Sequence, residues 1–122
     1  MLLNNFFSLL SSKNEQQIIH ATLQINKLHP IFKGHFPGQP VVPGVCMMQM
    51  VKEILEKETH QKLTLKSADH LKFLTILDPN VHPEISAELK TERVSEDLKV
   101  TATFFTGEVI FFKMKSSFQF AI

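Results

Sequence analysis

The chain of 122 residues is long enough for one domain with a real core and too short for two ordinary ones. Thirteen Lys and Arg stand against twelve Asp and Glu, a formal net charge of +1, so no basic excess argues for nucleic acid as a partner. A single cysteine, Cys46, excludes an intrachain disulfide and fits a reducing compartment, and eleven Phe with no Tyr or Trp exclude chemistry that needs a phenol or an indole.

Residues 2–10 carry Leu2, Leu3, Phe6, Phe7, Leu9 and Leu10 at helical spacing, which predicts a short N-terminal helix packed on something else. The run has no basic leader and is too short to cross a bilayer, so a cytoplasmic protein without a membrane span is expected. Residues 11–17 are polar and read as a turn. Residues 18–28 alternate Ile19, Ala21, Leu23 and Ile25 against His20, Thr22, Gln24 and Asn26, the pattern of a half-buried strand. His29-Pro30 ends it, and residues 31–33 lead into a loop.

That loop, Gly34-His35-Phe36-Pro37-Gly38-Gln39-Pro40-Val41-Val42-Pro43-Gly44, holds three prolines and three glycines in eleven residues. Such a backbone is rigid at some points and open to close approach at others. Pro43-Gly44 opens a helix predicted to run to about Glu58. Met47, Met48, Met50, Val51, Ile54 and Leu55 form an apolar arc wider than a surface helix needs, and Gln49, Lys52, Glu53 and Glu56 form the opposite stripe. Glu53 and Glu56 are expected as solvated charges and Cys46 as buried filler.

Four strand-like runs follow. Residues 62–67 alternate and continue toward Leu74 with a bulge or kink at Asp69-His70. Residues 77–83 are a connection turning at Asp78-Pro79-Asn80. Val81 begins the next run, in which Ile85, Ala87 and Leu89 alternate. Residues 94–98 turn around Ser95-Glu96-Asp97, residues 99–105 form a strand, Thr106-Gly107-Glu108 turns the chain, and residues 109–120 form the last strand. One long helix beside a mostly antiparallel sheet is an α+β arrangement. The Phe-rich segments 104–105 and 111–112, with Phe118 and Phe120, are expected first as core and interface and second as the lining of an acyl tunnel. The other histidines show no metal-ligand spacing, and no metal or cofactor is expected.

The loop from Gly34 to Val45 resembles the signature of the 3-hydroxyacyl-[acyl-carrier-protein] dehydratases of the hotdog superfamily, with its histidine, prolines and glycines in the family's order. Asp69-His70-Leu71-Lys72-Phe73 looks like the family's strand after the helix. The resemblance implies a single hotdog domain over residues 1–122, a sheet wrapped around a central helix, and a dimer whose sheets join, with two sites at its interface. It implies an acyl carrier protein or coenzyme A thioester as substrate. It makes His35 the base that takes the α-proton and Gly44 the backbone donor to the thioester carbonyl, with Phe36 and Val45 beside it in substrate binding. A helix N-terminus suits that task, because its unpaired N–H groups and dipole favour an enolate-like oxygen.

The family's second catalytic residue is acidic and comes from the partner subunit; here its position holds Gln49. An amide can orient a hydroxyl but cannot supply a proton, and hydroxide is a poor leaving group. Three consequences stay open: His35 serves as base and then acid, Glu53 one turn on substitutes, or dehydration is lost while thioester binding survives. The functions open to the chain are a 3-hydroxyacyl-thioester dehydratase (a lyase), an acyl-thioester hydrolase, since the same fold resembles that class too, and a non-catalytic subunit pairing with an active homologue in a heterodimer.

Overall fold

The computed structural model describes residues 1–34 and 38–121. His35, Phe36 and Pro37 of the loop lie outside the described residues. Six strands, β1 (Phe7–Glu15), β2 (Ile18–Ile25), β3 (Leu63–Phe73), β4 (Glu84–Val94), β5 (Asp97–Thr106) and β6 (Val109–Phe120), form one sheet in the order β1-β2-β4-β5-β6-β3. Every neighbouring pair is antiparallel. Two helices, α1 (Ile31–Gly34) and α2 (Gly44–Thr59), lie between β2 and β3. The chain therefore leaves β2, crosses by way of α2 to the far edge of the sheet, and returns along residues 74–83 to place β4 beside β2.

The core lies between α2 and the inner sheet face. Cys46, Met47, Met50, Val51, Ile54 and Leu55 of α2 are buried with the inward residues of the strands: Ile19, Ala21, Leu23 and Ile25 of β2, Val100, Ala102 and Phe104 of β5, and Phe112, Met114 and Phe118 of β6. This is the sheet wrapped around a long helix that the resemblance implies. Phe104 and Phe112 face each other in register, ring centroids 5.3 Å apart, and Phe112 also meets Phe73 at 5.4 Å. The Phe-rich segments thus serve chiefly as core. Phe111 breaks the alternation because of an irregularity between Phe104 and Phe105, and its buried ring meets His82 of the returning connection at 5.1 Å.

The N-terminus differs from the helix expected over residues 2–10. Asn4 takes a left-handed φ of 67°, which Asn tolerates, and the chain turns there before entering β1 at Phe7. Residues 11–15, expected as a turn, continue that strand. The helical spacing has two sources: Leu2, Leu3 and Phe6 belong to the turn before β1, and pairing with β2 skips Leu10, so Leu9 and Leu10 follow each other without strict alternation. The hairpin turn between β1 and β2 is Gln16-Gln17, with φ of 51° and 68°, the two-residue left-handed turn that suits twisted strands. Neither glutamine advertises such a turn. α1, a single turn, also had no sequence signal; its Phe32 stacks on buried Phe6 at 5.5 Å. β4 starts at Glu84 rather than at Val81, which is exposed in the connection. The expected irregularity near Asp69-His70 is present, between Ala68 and His70 of β3.

Replacing Phe112 by Ala should cost about 3–5 kcal/mol of unfolding free energy. Leu10→Ala, at the half-exposed bulge position, should stay within about 0.5 kcal/mol. Urea denaturation at a fixed protein concentration measures both.

Candidate functional site

α2 begins without a side-chain cap. Pro43, at φ −62° and ψ 146°, is the N-cap residue, and its carbonyl accepts the N–H of Cys46 and of Met47. Among the described residues neither Gly44 nor Val45 donates its N–H to a partner. Two adjacent donors at the positive end of a sixteen-residue helix are therefore available to an oxygen. The loop's end is pinned by Val42 N–H to Leu77 O at 2.9 Å, with both side chains buried. This ties the helix start to the segment after β3.

The space beside Gly44 is not empty. A Cβ there would stand 2.7 Å from Cε1 and Cζ of Phe73. Any side chain at position 44 would have to displace the tip of the Phe73 ring, which lies over the helix start and is itself 54% exposed. The ring forms one wall of an apolar cleft of about 370 Å³ that includes Val41, Pro43, Gly44, Met47 and Ile76.

One turn further, Gln49 faces a second cleft of about 280 Å³ between α2 and the sheet's β3 edge, with Val45, Met48, Lys52, Thr64 and Leu65. Val45, next to Gly44, is 74% exposed at its rim. Gln49 Nε2 donates to Glu53 Oε2 at 2.9 Å. A carboxylate only accepts, so the amide must present its nitrogen to Glu53, which leaves Oε1 and one N–H for the cleft.

Glu53 overturns its expectation as a solvated charge, being only 2% exposed. Besides Gln49, it accepts Leu2 N–H on both oxygens at 3.0 Å and Leu3 N–H at 2.8 Å. Burial pushes its carboxyl up, but the donors from Leu2, Gln49 and Leu3 outweigh that and hold it below the usual glutamate range. It is therefore an ionised, fully engaged acceptor at neutral pH and cannot stand in as a general acid. Burial pushes the Cys46 thiol up, in keeping with a packed, unreactive side chain.

The structure thus brings Gly44, Val45 and Gln49 to the first turns of α2, while predicted His35 and Phe36 lie outside the described residues. Sequence reasoning missed Phe73 and Lys52 as neighbours of these positions. The i, i+3 spacing of Gln49 and Lys52 was a usable signal; nothing local marked Phe73. A larger concavity of about 700 Å³ on the outer sheet face, among Lys72, Lys90, Lys113 and Lys115, contains none of the predicted site residues.

A sheet wrapped on a helix whose bare N-terminus adjoins two clefts defines the hotdog class. The fold matches a solved dehydratase heterocomplex, ApeI:P from Xenorhabdus doucetiae, with a TM-score of 0.72 at 18% identity over 91% of this chain and 96% of that one. The family described as ApeI-like, ApeI dehydratase, matches residues 11–110, and the chain belongs to that family. It is also similar to the 3-hydroxyacyl-[acyl-carrier-protein] dehydratase FabZ of Haemophilus influenzae (strain PittEE), at 30% identity over 97 residues, 76% of this chain and 64% of that protein. The FabZ of Mannheimia succiniciproducens is 33% identical over 100 residues, 76% of this chain and 63% of that protein. The chain therefore spans somewhat under two thirds of the length of these curated relatives. No helix among the described residues is long and apolar enough to cross a membrane.

Two predictions follow from this geometry. Because the Glu53 carboxyl is held below its unfolded value, its contribution is present at neutral pH and is lost as pH falls through and below the ordinary carboxylate range. The protection of the Leu2 and Leu3 amides, taken relative to their intrinsic exchange rate at each pH, should fall over that interval, and Glu53→Leu should cost about 1.5–3 kcal/mol at neutral pH. Gly44→Ala should destabilise by about 1 kcal/mol or less, because the half-exposed Phe73 ring can swing aside, and Phe73→Leu should remove that cost in a double-mutant cycle read by denaturant unfolding.

Proposed function

We propose that this protein removes water from a 3-hydroxyacyl thioester, carried on acyl carrier protein or coenzyme A, to give the trans-2-enoyl thioester. The observation that carries the reading is the uncapped start of α2, with the Gly44 and Val45 N–H groups uncommitted, at the end of a loop that bears a histidine. Membership of a dehydratase family and similarity to FabZ proteins support it. The thioester carbonyl accepts from the helix N-terminus, which stabilises the enolate-like oxygen as His35 takes the α-proton. Phe36 and Val45 flank the acyl thioester. The free carbonyl of Gln49 accepts from the substrate hydroxyl and orients it.

The working unit in this reading is a dimer joined along β3. That edge strand carries exposed Leu65, Leu71 and Phe73, and an uncovered apolar edge is a natural place for sheet extension. A second reading has its own support: Gln49 supplies no proton, Glu53 is fully engaged, and the fold resembles a dehydratase heterocomplex. Here the chain is the thioester-binding partner of an active homologue, which provides the acid.

Turnover of a 3-hydroxyacyl-CoA by the purified protein tests the first reading. His35→Ala should lower kcat by about 100-fold or more. Gln49→Glu should place a second carboxyl in contact with Glu53, so that the new group keeps its proton to higher pH and any gained activity persists toward neutrality. Equal rates in the native protein and His35→Ala would remove the catalytic reading, and turnover that appears only with a co-purified homologue would establish the second.

A further inference from the structure

A dehydration site built around an amide still has to protonate a departing hydroxyl. The cleft that Gln49 faces is lined by Val45, Met48, Lys52, Thr64, Leu65 and Phe118. Lys52 is the one ionisable side chain in that set. It lies three residues after Gln49 on α2, so the two side chains share a helix face. Its side chain is half-buried, and among the described residues it makes no ion pair and no hydrogen bond. The carboxylates that might have neutralised it are engaged elsewhere: Glu53 on Leu2, Leu3 and Gln49, and Glu56 on the Leu63 N–H at 2.9 Å. From β3 and β6 the cleft receives only Thr64, Leu65 and Phe118, none of which titrates near neutrality. An unpaired ammonium in a largely apolar cleft beside the hydroxyl-orienting residue is a proton donor in search of an acceptor.

We infer that Lys52 is the proton donor to the leaving hydroxyl, the role that Gln49 cannot fill. This rests on the dehydratase reading above. In the step, the Cα–H bond breaks to the base assigned there and its electron pair is held as the enolate of the thioester. That pair then forms the Cα=Cβ bond as the Cβ–O bond breaks, and the oxygen takes a proton from Lys52 Nζ and departs as water. The amine so formed regains its proton from solvent while the base returns its own, so the only net products are the enoyl thioester and water. Gln49 Oε1 holds the hydroxyl so that its lone pair faces the ammonium. The substrate class is thereby limited to thioesters with an oxygen at C3, because a saturated acyl chain leaves Lys52 without a partner.

Two measurements on the purified protein separate this inference from the reading beneath it. In calorimetric titration, the native protein should bind a 3-hydroxyacyl-CoA at least about 10-fold more tightly than the matching saturated acyl-CoA, since a site built to hydrogen-bond a substrate hydroxyl penalises its absence. Lys52→Met should reduce that preference to the part held by Gln49 Oε1 while leaving affinity for the saturated acyl-CoA unchanged. In turnover, Lys52→Met should lower kcat about 100-fold, well beyond any rise in KM that accompanies the weaker hold on the hydroxyl. Lys52→Arg should keep the binding preference without restoring kcat, because a guanidinium holds its proton. Absence of turnover in the native protein counts against the dehydratase reading. A hydroxyl preference that is absent from the native protein or undiminished in Lys52→Met, or a Lys52→Met effect confined to KM, overturns the role of Lys52.

Discussion

The whole arrangement depends on covering one helix. Cys46, Met47, Met50, Val51, Ile54 and Leu55 spread around more of α2 than a single flat neighbour can reach, and leaving such an arc in water is costly. A six-stranded antiparallel sheet with its natural twist wraps far enough to bury it. The wrap ends at β3, the last strand at that edge. Beside it the stripe of α2 that carries Gln49 and Lys52 is left partly open, and the first turn of the helix stays uncapped. The candidate site is thus the place where coverage of the helix stops.

Glu53 links that site to the start of the chain. A carboxylate so deeply buried must be met by donors, and here they are the Leu2 and Leu3 N–H groups and the Gln49 amide. The same charge that moors the N-terminal segment therefore dictates which end of the Gln49 amide looks into the cleft. Spending the carboxylate in this way removes it from acid–base work. What remains at the cleft is the outward oxygen of the Gln49 amide and the unpaired side chain of Lys52.

The legible part of the fold followed from strong local patterns. Alternation located β2, β5 and β6 closely because their inward residues meet a continuous apolar core, and the arc of α2 was broad enough to predict a covered helix. The N-terminus was misread for physical reasons. The turn over Leu2 to Phe6 and a bulge at Leu10 together gave the segment helical spacing, and the Gln16-Gln17 turn lacks the glycine or asparagine that usually marks left-handed backbone. Glu53 was misread because periodicity placed it on the polar stripe, whereas a segment some fifty positions away in the chain supplies its donors.

By itself, the sequence determined the class: the loop of prolines and glycines leading into a glycine-started helix, and the α+β balance of one long helix with a sheet. It also showed the absence of an acid at position 49. Only the tertiary structure decided which polar residues of α2 are spent and which are free. That depends on what packs against each turn of the helix, and neither the mooring of Leu2 and Leu3 on Glu53 nor the Phe73 ring over Gly44 leaves a trace in local spacing.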